Sequence, residues 1–402
     1  MIFIRPNPNL DWNTPDLSDQ LNILDDLTGE PIFTLEKSDY IEFENFIKMS
    51  QECNFDKNLT VFSLNIRSLG NKTNKLINVL SQLKFLPSVI CLQEIWSVHG
   101  NVSIPGYHPL EYYSRDSDST PNPNCGGGVG IYIRNDIDYH SVPVKNSSVK
   151  GIIESIWVRI VMADGKTKII GSCYRPNSAP LACPQKFNAS IEKLMVDIKS
   201  KYKNSDIFLA GDFNFDLLKY EEHKDTETFL TTMYDQGMIP LITKPTRLTH
   251  DTYTLIDNIF TSEIYNTIAG IVSVDLSDHE ATFLIDRSSQ VSSKESVTMC
   301  RSTNPKDLTL LAGKLKETDF SDVINSDIID VAYNNFYTKV ENIIDSTLPL
   351  KKLVIKPLSK NKPWYTLGMS KSNKTKIKLY RKQIAKPTDQ NILAYKQFYL
   401  FT

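Results

Sequence analysis

A mixed α/β fold of two packed sheets covered by helices is what this sequence predicts, and three observations predict it. Short apolar runs of strand length alternate with segments whose apolar residues recur at helical spacing. Two of those runs flank a tight turn and read as an antiparallel hairpin, so the sheets must be mixed rather than wholly parallel. A chain of 402 residues that is 41% hydrophobic and 10% aromatic can bury a large core. That suits one domain of about 230 residues plus appendages.

The elements follow in order. Residues 1 to about 57 are polar and rich in Asn and Asp, and Pro6, Pro8, Pro15 and Pro31 break any long periodicity, so a loosely ordered leader is expected. A strand then ends in Ser63-Leu64-Asn65-Ile66-Arg67-Ser68. Asn74 to Phe85 carries Leu76, Ile77, Leu80 and Leu83 at helical spacing and leads into Val89-Ile90-Cys91-Leu92-Gln93-Glu94-Ile95-Trp96. Gly126 to Gly130 is glycine-rich but lacks the Gly-Lys-Ser/Thr ending of a phosphate-binding loop, so it reads as a flexible entry to the strand Ile131-Tyr132-Ile133. Ile152 to Val161 and Thr167 to Tyr174 flank Ala163-Asp164-Gly165-Lys166 as the hairpin, and the second arm runs out into Arg175-Pro176-Asn177. Ile191, Leu194, Met195 and Ile198 mark a helix before Ile207-Phe208-Leu209-Ala210-Gly211-Asp212-Phe213-Asn214. The segments Thr254 to Phe260 and Asp275 to Glu280 follow. Between residues 304 and 349, Leu308, Leu311 and Leu315, then Ile328, Ile329, Ala332 and Phe336, predict two amphipathic helices and no further catalytic domain.

The most informative stretch is the one ending in Gly211-Asp212-Phe213-Asn214. It sets a carboxylate and a carboxamide two residues apart, on the same side of an extended backbone. Gly-Asp after a strand is also ordinary turn chemistry. Six polar clusters in fixed order, each following an apolar run, are not.

That ordered set resembles the endonuclease/exonuclease/phosphatase family, in the spelling of the endonuclease domain of non-LTR (LINE-type) retrotransposons. Asn65 in Leu-Asn-Ile-Arg-Ser-Leu, Glu94 in Leu-Gln-Glu-Ile-Trp and Tyr174 in Tyr-Arg-Pro-Asn match its first three motifs. Asp212 with Asn214, then Asp257, then Ser277-Asp278-His279 match the rest. The resemblance covers roughly residues 58 to 287 and implies a four-layer α/β sandwich. One position departs: abasic-site repair members carry an acid two residues after the Asn, where this chain has Arg67. Neither a second metal ligand at this position nor repair-type specificity is expected.

Phosphodiester hydrolysis needs an activated water, neutralisation of charge on the phosphoryl oxygens and help for the departing oxygen. Carboxylates with an amide oxygen make a hard-oxygen site suited to Mg²⁺ or Mn²⁺, with Glu94 as first ligand and Asn65 and Asp278 assisting. His279, next to one acid and near another, has its protonated form favoured and is the expected donor to the scissile phosphate. The resemblance implies that Asp257 orients it. Asp212 is expected to hold or deprotonate the attacking water, Asn214 to fix the phosphate or water, and Tyr174 to supply a phenolic donor near the phosphate or leaving oxygen. The expected activity is therefore a metal-dependent phosphodiesterase that nicks DNA. A phosphatase or phospholipase on the same scaffold is the alternative enzyme, and an inactive nucleic-acid-binding remnant the alternative of another class.

Six cysteines are spread singly, with no Cys-x-x-Cys pair, which argues against zinc and against a disulfide framework. Cys91 and Cys173 lie in apolar runs and read as core residues. The formal net charge of −2 hides an asymmetry: Lys351 to Lys386 hold twelve Lys or Arg, and no acid lies between Asp345 and Asp389. This basic stretch, with Trp364, Tyr365 and Tyr380 among its charges, is a candidate phosphate-binding arm with aromatic side chains to stack on bases. It resembles the junction that leads from endonuclease to reverse transcriptase, with the reverse transcriptase itself expected to be absent. The organisation expected is a leader over 1–57, the catalytic domain over 58–287, a helical linker over 288–349 and a basic tail over 350–402. Met1-Ile2-Phe3-Ile4-Arg5 is too short for a secretory signal, and no run of eighteen apolar residues occurs, so no membrane partner is expected. Unpaired cysteines fit an intracellular location, and a DNA substrate would make that the nucleus.

Overall fold

The structure, a computed structural model, describes residues 15–19, 22–24, 31–96, 102–115, 126–145, 147–177, 183–249, 252–263, 265–291, 296–302, 304–355 and 388–400, with single residues and pairs between 372 and 386. The chain divides into two compact units, one of residues 1–293 and 360–402 and one of residues 294–359.

In the larger unit two mixed sheets pack face to face. One runs, in spatial order, Tyr40–Ile41, Thr267–Val272, Ala281–Gln290, Asn58–Asn65, Val89–Gln93, Val129–Ile133 and Glu111–Tyr113. The other runs Ile239–Pro240, Asp257–Thr261, Ser205–Asp212, Thr167–Tyr174, Glu154–Val161 and Tyr139–Ser141. The expected hairpin forms, with Thr167 opposite Val161 and Tyr174 opposite Glu154. Parallel pairs lie at the centre of each sheet: Asn65 is beside Gln93 in one, Tyr174 beside Asp212 in the other.

Side chains alternate faces along a strand, and the alternation builds both the core and the site. Leu59, Val61, Val89, Cys91, Ile170, Phe208, Ala210 and Ile259 point between the sheets and form one buried cluster. Continue the same parity to the strand ends, and Asn65, Gln93, Tyr174, Asp212 and Asp257 emerge on that inner face. Ile169, Cys173, Ile207, Leu209 and Phe213 take the opposite parity and meet the outer helices through Phe187, Ile191, Leu194, Met195, Ile198, Phe229 and Met233. Those helices are Pro184–Lys201 and Lys224–Asp235. On the far side, helix Phe43–Glu52 sets Phe46 against Phe62 and Phe283, with ring centroids 6.3 and 4.9 Å apart, and helix Leu69–Ser81 buries Leu69, Leu76 and Leu80. Helix, sheet, sheet, helix gives four layers. Cys91 and Cys173 are fully buried in them, as expected, and burial pushes both thiols up.

Two expectations need correction. The leader read over residues 1–57 is not loose along its whole length, because Leu35, Tyr40, Ile41, Phe43, Phe46, Met49, Cys53 and Phe55 are buried in the larger unit. The Asn- and Pro-rich composition belongs to its first thirty-one residues and masks the apolar spacing of Phe43, Phe46 and Met49. The glycine run is not a slack loop either, as far as it is described. Gly127 and Gly128 have φ of 97° and 82°, the Trp96 amide donates to the Gly127 carbonyl, and the Gly128 amide donates to buried Glu154.

The smaller unit pairs strand Ser296–Cys300 with Lys351–Ile355 and contains helices Pro305–Glu317, Ser321–Ile324 and Ile329–Thr347, the long ones falling where the amphipathic spacing predicts. Among the described residues no helix is long and apolar enough to cross a membrane. Trp364, Tyr365, Tyr380 and Cys125 lie outside the described residues.

Candidate active site

Six side chains from five strand ends and the loop before Ala281 meet in two adjacent hydrogen-bonded groups, Asn65, Glu94, Tyr174 and Asp212 in one and Asp257 with His279 in the other. The Asn65 amide nitrogen donates to Glu94 Oε1 at 2.9 Å and to Asp212 Oδ2 at 2.8 Å, and so joins the two sheets. Tyr174 donates its hydroxyl to Glu94 Oε1 at 3.2 Å, and Trp96 donates Nε1 to Glu94 Oε2 at 3.2 Å. Asp257 Oδ2 holds His279 Nδ1 at 2.8 Å and accepts from the Thr246 hydroxyl at 2.7 Å. One ligand atom each from Asp212, Asp257 and His279 lies within 4.8 Å of the others.

The electrostatics follow from burial and from this crowding. Asp212 is 1% exposed, and burial, then the Asp257 charge, push its carboxyl up to about 7 against the pull of His279 and Asn65. Burial alone would lower His279, but Asp257, with help from Asp212 and Asp278, outweighs it and raises the imidazole to about 9. Burial and the neighbouring Glu94 and Asp212 charges raise the Tyr174 phenol, which therefore stays protonated.

Asp278 is placed differently from Glu94 and Asn65. Arg67 Nη1 meets its Oδ1 at 2.7 Å, and Arg247 meets its Oδ2 through Nε at 3.0 Å and Nη2 at 2.8 Å. Burial would raise this carboxyl, yet the Arg67 hydrogen bond, with the His279, Arg67 and Arg247 charges, holds it down at about 2. Asn214 has both ends of its amide engaged, Nδ2 on the Arg175 carbonyl at 2.8 Å and Oδ1 on Asn177 Nδ2 at 3.0 Å, while its backbone amide donates to Asp212 Oδ1 at 3.0 Å.

The backbone at the strand ends is unusual. Among the described residues seven non-glycine residues have positive φ, and six of them, Arg67, Ser68, Glu94, Trp96, Asn214 and Asp275, flank this cluster. Such conformations persist where the surroundings over-determine them, which is typical of functional sites. Sequence reasoning missed Thr246 and Arg247. They lie in Thr243-Lys244-Pro245-Thr246-Arg247, which carries no carboxylate, and only the bridge that pairs Arg247 with His279 brings them to the site.

A profile of the endonuclease/exonuclease/phosphatase family matches residues 62–279, more than half the chain. The chain belongs to that family. All eight candidate site residues named from the sequence lie within the matched span. Among solved structures, the endonuclease domain of TRAS1, a telomere-specific non-LTR retrotransposon, is 14% identical with a TM-score of 0.42, covering 57% of this chain and 98% of that one. The human Nocturnin catalytic domain is 11% identical with a TM-score of 0.43, over 58% and 97%. The Xenopus laevis APE2 catalytic domain is 14% identical with a TM-score of 0.40, over 59% and 94%. No curated protein matches.

Proposed function

We propose that this family member is a divalent-metal-dependent phosphodiesterase that nicks DNA, of the type carried by non-LTR retrotransposons, acting in the nucleus where that substrate lies. One observation carries the chemistry: Asp212, a buried carboxyl poised near neutrality, sits between the Glu94–Asn65 pair and the Asp257–His279 pair. The retrotransposon spelling of the motifs and the basic run from Lys351 to Lys386 support DNA as the substrate.

The donor set fits a hard divalent cation. Glu94 offers a carboxylate, Asn65 turns its amide nitrogen to Glu94 and Asp212 and its Oδ1 to the Arg67 amide, so it would present an oxygen to a cation by flipping its amide, and Asp257 Oδ1 is buried with no hydrogen-bond partner among the described residues. Glu94 and Asn65 would hold Mg²⁺ or Mn²⁺, and Asp278 could join them only by releasing Arg67 or Arg247. The bound cation would neutralise charge on the phosphoryl oxygens. Asp212, about half ionised near pH 7, takes the proton of the attacking water, steered by the Asn214 backbone amide on its Oδ1. His279, protonated at that pH and fixed through Nδ1 by Asp257, presents Nε2 to the phosphate. Tyr174 adds a neutral phenolic donor beside Glu94.

Supercoiled plasmid incubated with the purified chain should be nicked with Mg²⁺ or Mn²⁺ and left intact in excess chelator. Glu94→Gln should remove most of the activity, and raising Mg²⁺ should partly restore it. Nicking in excess chelator would sink the metal assignment. Cleavage of phosphomonoesters or phospholipids with DNA untouched would move the protein to another substrate class.

A further inference from the structure

The site has a support that the motifs do not contain. Asp275 lies at 9% exposure in the loop between strands Thr267–Val272 and Ala281–Gln290, with φ of 51°. Three and four residues on are Asp278 and His279. Both Asp275 oxygens are met from the far end of the chain: the Tyr395 hydroxyl donates to Oδ1 at 2.6 Å, and Lys376 Nζ lies 3.1 Å from Oδ2. Lys376 is itself largely shielded at this contact, with its side chain 11% exposed. Tyr395 stands on helix Asp389–Leu400. These partners come from a hundred residues or more beyond the loop and outside residues 62–279.

A carboxylate nine-tenths buried needs a counter-charge and hydrogen bonds, and losing one partner of such a group is costly. The positive φ adds a strain that the surroundings must hold. Ahead of the site the loop is also tied by the Ser277 hydroxyl, which donates to the Asn65 carbonyl at 2.6 Å. We propose that the C-terminal segment clamps the catalytic loop, with Tyr395 and Lys376 acting through Asp275 as positioning residues that hold Asp278 and His279 in register with Asp212. This rests on the reading of His279 as the phosphate donor. The basic segment would then have two separable jobs, since the clamp needs Lys376 and Tyr395 while phosphate attraction draws on the other lysines.

The test uses the full-length chain. Tyr395→Phe keeps the ring and removes the hydroxyl, Lys376→Met keeps the stem and removes the charge, and Lys376→Arg restores a cation. Amide exchange over residues 273–280 should quicken by about tenfold or more in Tyr395→Phe, as expected for a lost hydrogen bond to a charged group, with exchange over the strand Ser205–Asp212 unchanged. Plasmid nicking in Tyr395→Phe should show a lowered kcat with KM for DNA unchanged. Lys376→Met should match it in exchange, and Lys376→Arg should recover part of the loss. In an Asp275→Asn background Tyr395→Phe should add little further. Unchanged exchange over 273–280 in both Tyr395→Phe and Lys376→Met overturns the clamp, and faster exchange with unchanged kcat overturns the positioning role. Exchange is read without substrate, so a wild-type chain that fails to nick DNA would refute the proposed function while leaving the clamp decided.

Discussion

Two titrations at the site point the same way and set a pH window. The proposed mechanism needs Asp212 ionised and His279 protonated, so kcat/KM for nicking should rise through about pH 7 and fall through about pH 9, the two limbs belonging to the interacting cluster. A group raised on folding contributes stability below its ordinary value and loses it as pH climbs through the folded one. For Asp212 that loss runs from 3.8 to about 7, and for His279 from 6.5 to about 9. The metal-free protein should therefore melt at progressively lower temperature from pH 5 to pH 9 in differential scanning fluorimetry, and a rise would contradict both assignments. His279→Ala should cost about 100-fold or more in kcat and flatten the alkaline limb. At this scale much of the site was legible. Asn65, Glu94, Tyr174, Asp212, Asp257 and His279 each follow an apolar run, and strand parity brings five of the six together or next to one another. Arg67 and Arg247 around Asp278 were not legible as partners, because ion pairs between residues 211 and 31 positions apart leave no local periodicity.

The strands that present these residues are packed too closely to tolerate small additions. A Cβ on Gly211 would stand 2.1 Å from the Cys173 carbonyl oxygen, which is backbone of the neighbouring parallel strand and cannot swing away. Gly211→Ala should therefore cost about 3 kcal/mol or more, at the upper end of overpacking, and should displace Asp212. Gly165 in the hairpin turn is the matched control: nothing lies within 4 Å of its Cβ position, and only its φ of 82° resists substitution, at about 1–2 kcal/mol. Chemical denaturation would compare the two, and equal destabilisation would show that the inter-strand clash relaxes. Strands and hairpin were readable because apolar runs bounded by polar clusters have few other uses. Helix boundaries were less so. The helix expected over residues 74–85 runs Leu69–Ser81, since buried Leu69 and Thr73 begin its inner stripe and Thr73 does not register as apolar. Helix Phe43–Glu52 was hidden by the composition of the segment before it.

Across the whole molecule the charge asymmetry and the clamp make opposing demands on one experiment. Deleting everything after Leu350 would remove the proposed phosphate-binding arm and the partners of Asp275 together, so it would confound affinity with loop order. Converting Lys356, Lys360, Lys362, Lys371 and Lys374 to Gln separates them, because Lys376 and Tyr395 remain. If those five lysines neutralise phosphates, the slope of log affinity against log salt should flatten by up to about 4.5, at roughly 0.9 per phosphate on duplex DNA. Exchange over residues 273–280 should stay as in the wild type, and kcat at saturating DNA should stay within about twofold. The measurement is a salt titration of binding to a duplex in calcium or chelator, where turnover is suppressed. An unchanged slope would mean that the basic run is a solvated face and that DNA is held by the sandwich alone. A flattened slope with quickened loop exchange would mean that these lysines also carry the clamp. Sequence could announce the charge; that the same segment reaches Asp275 follows from the fold alone.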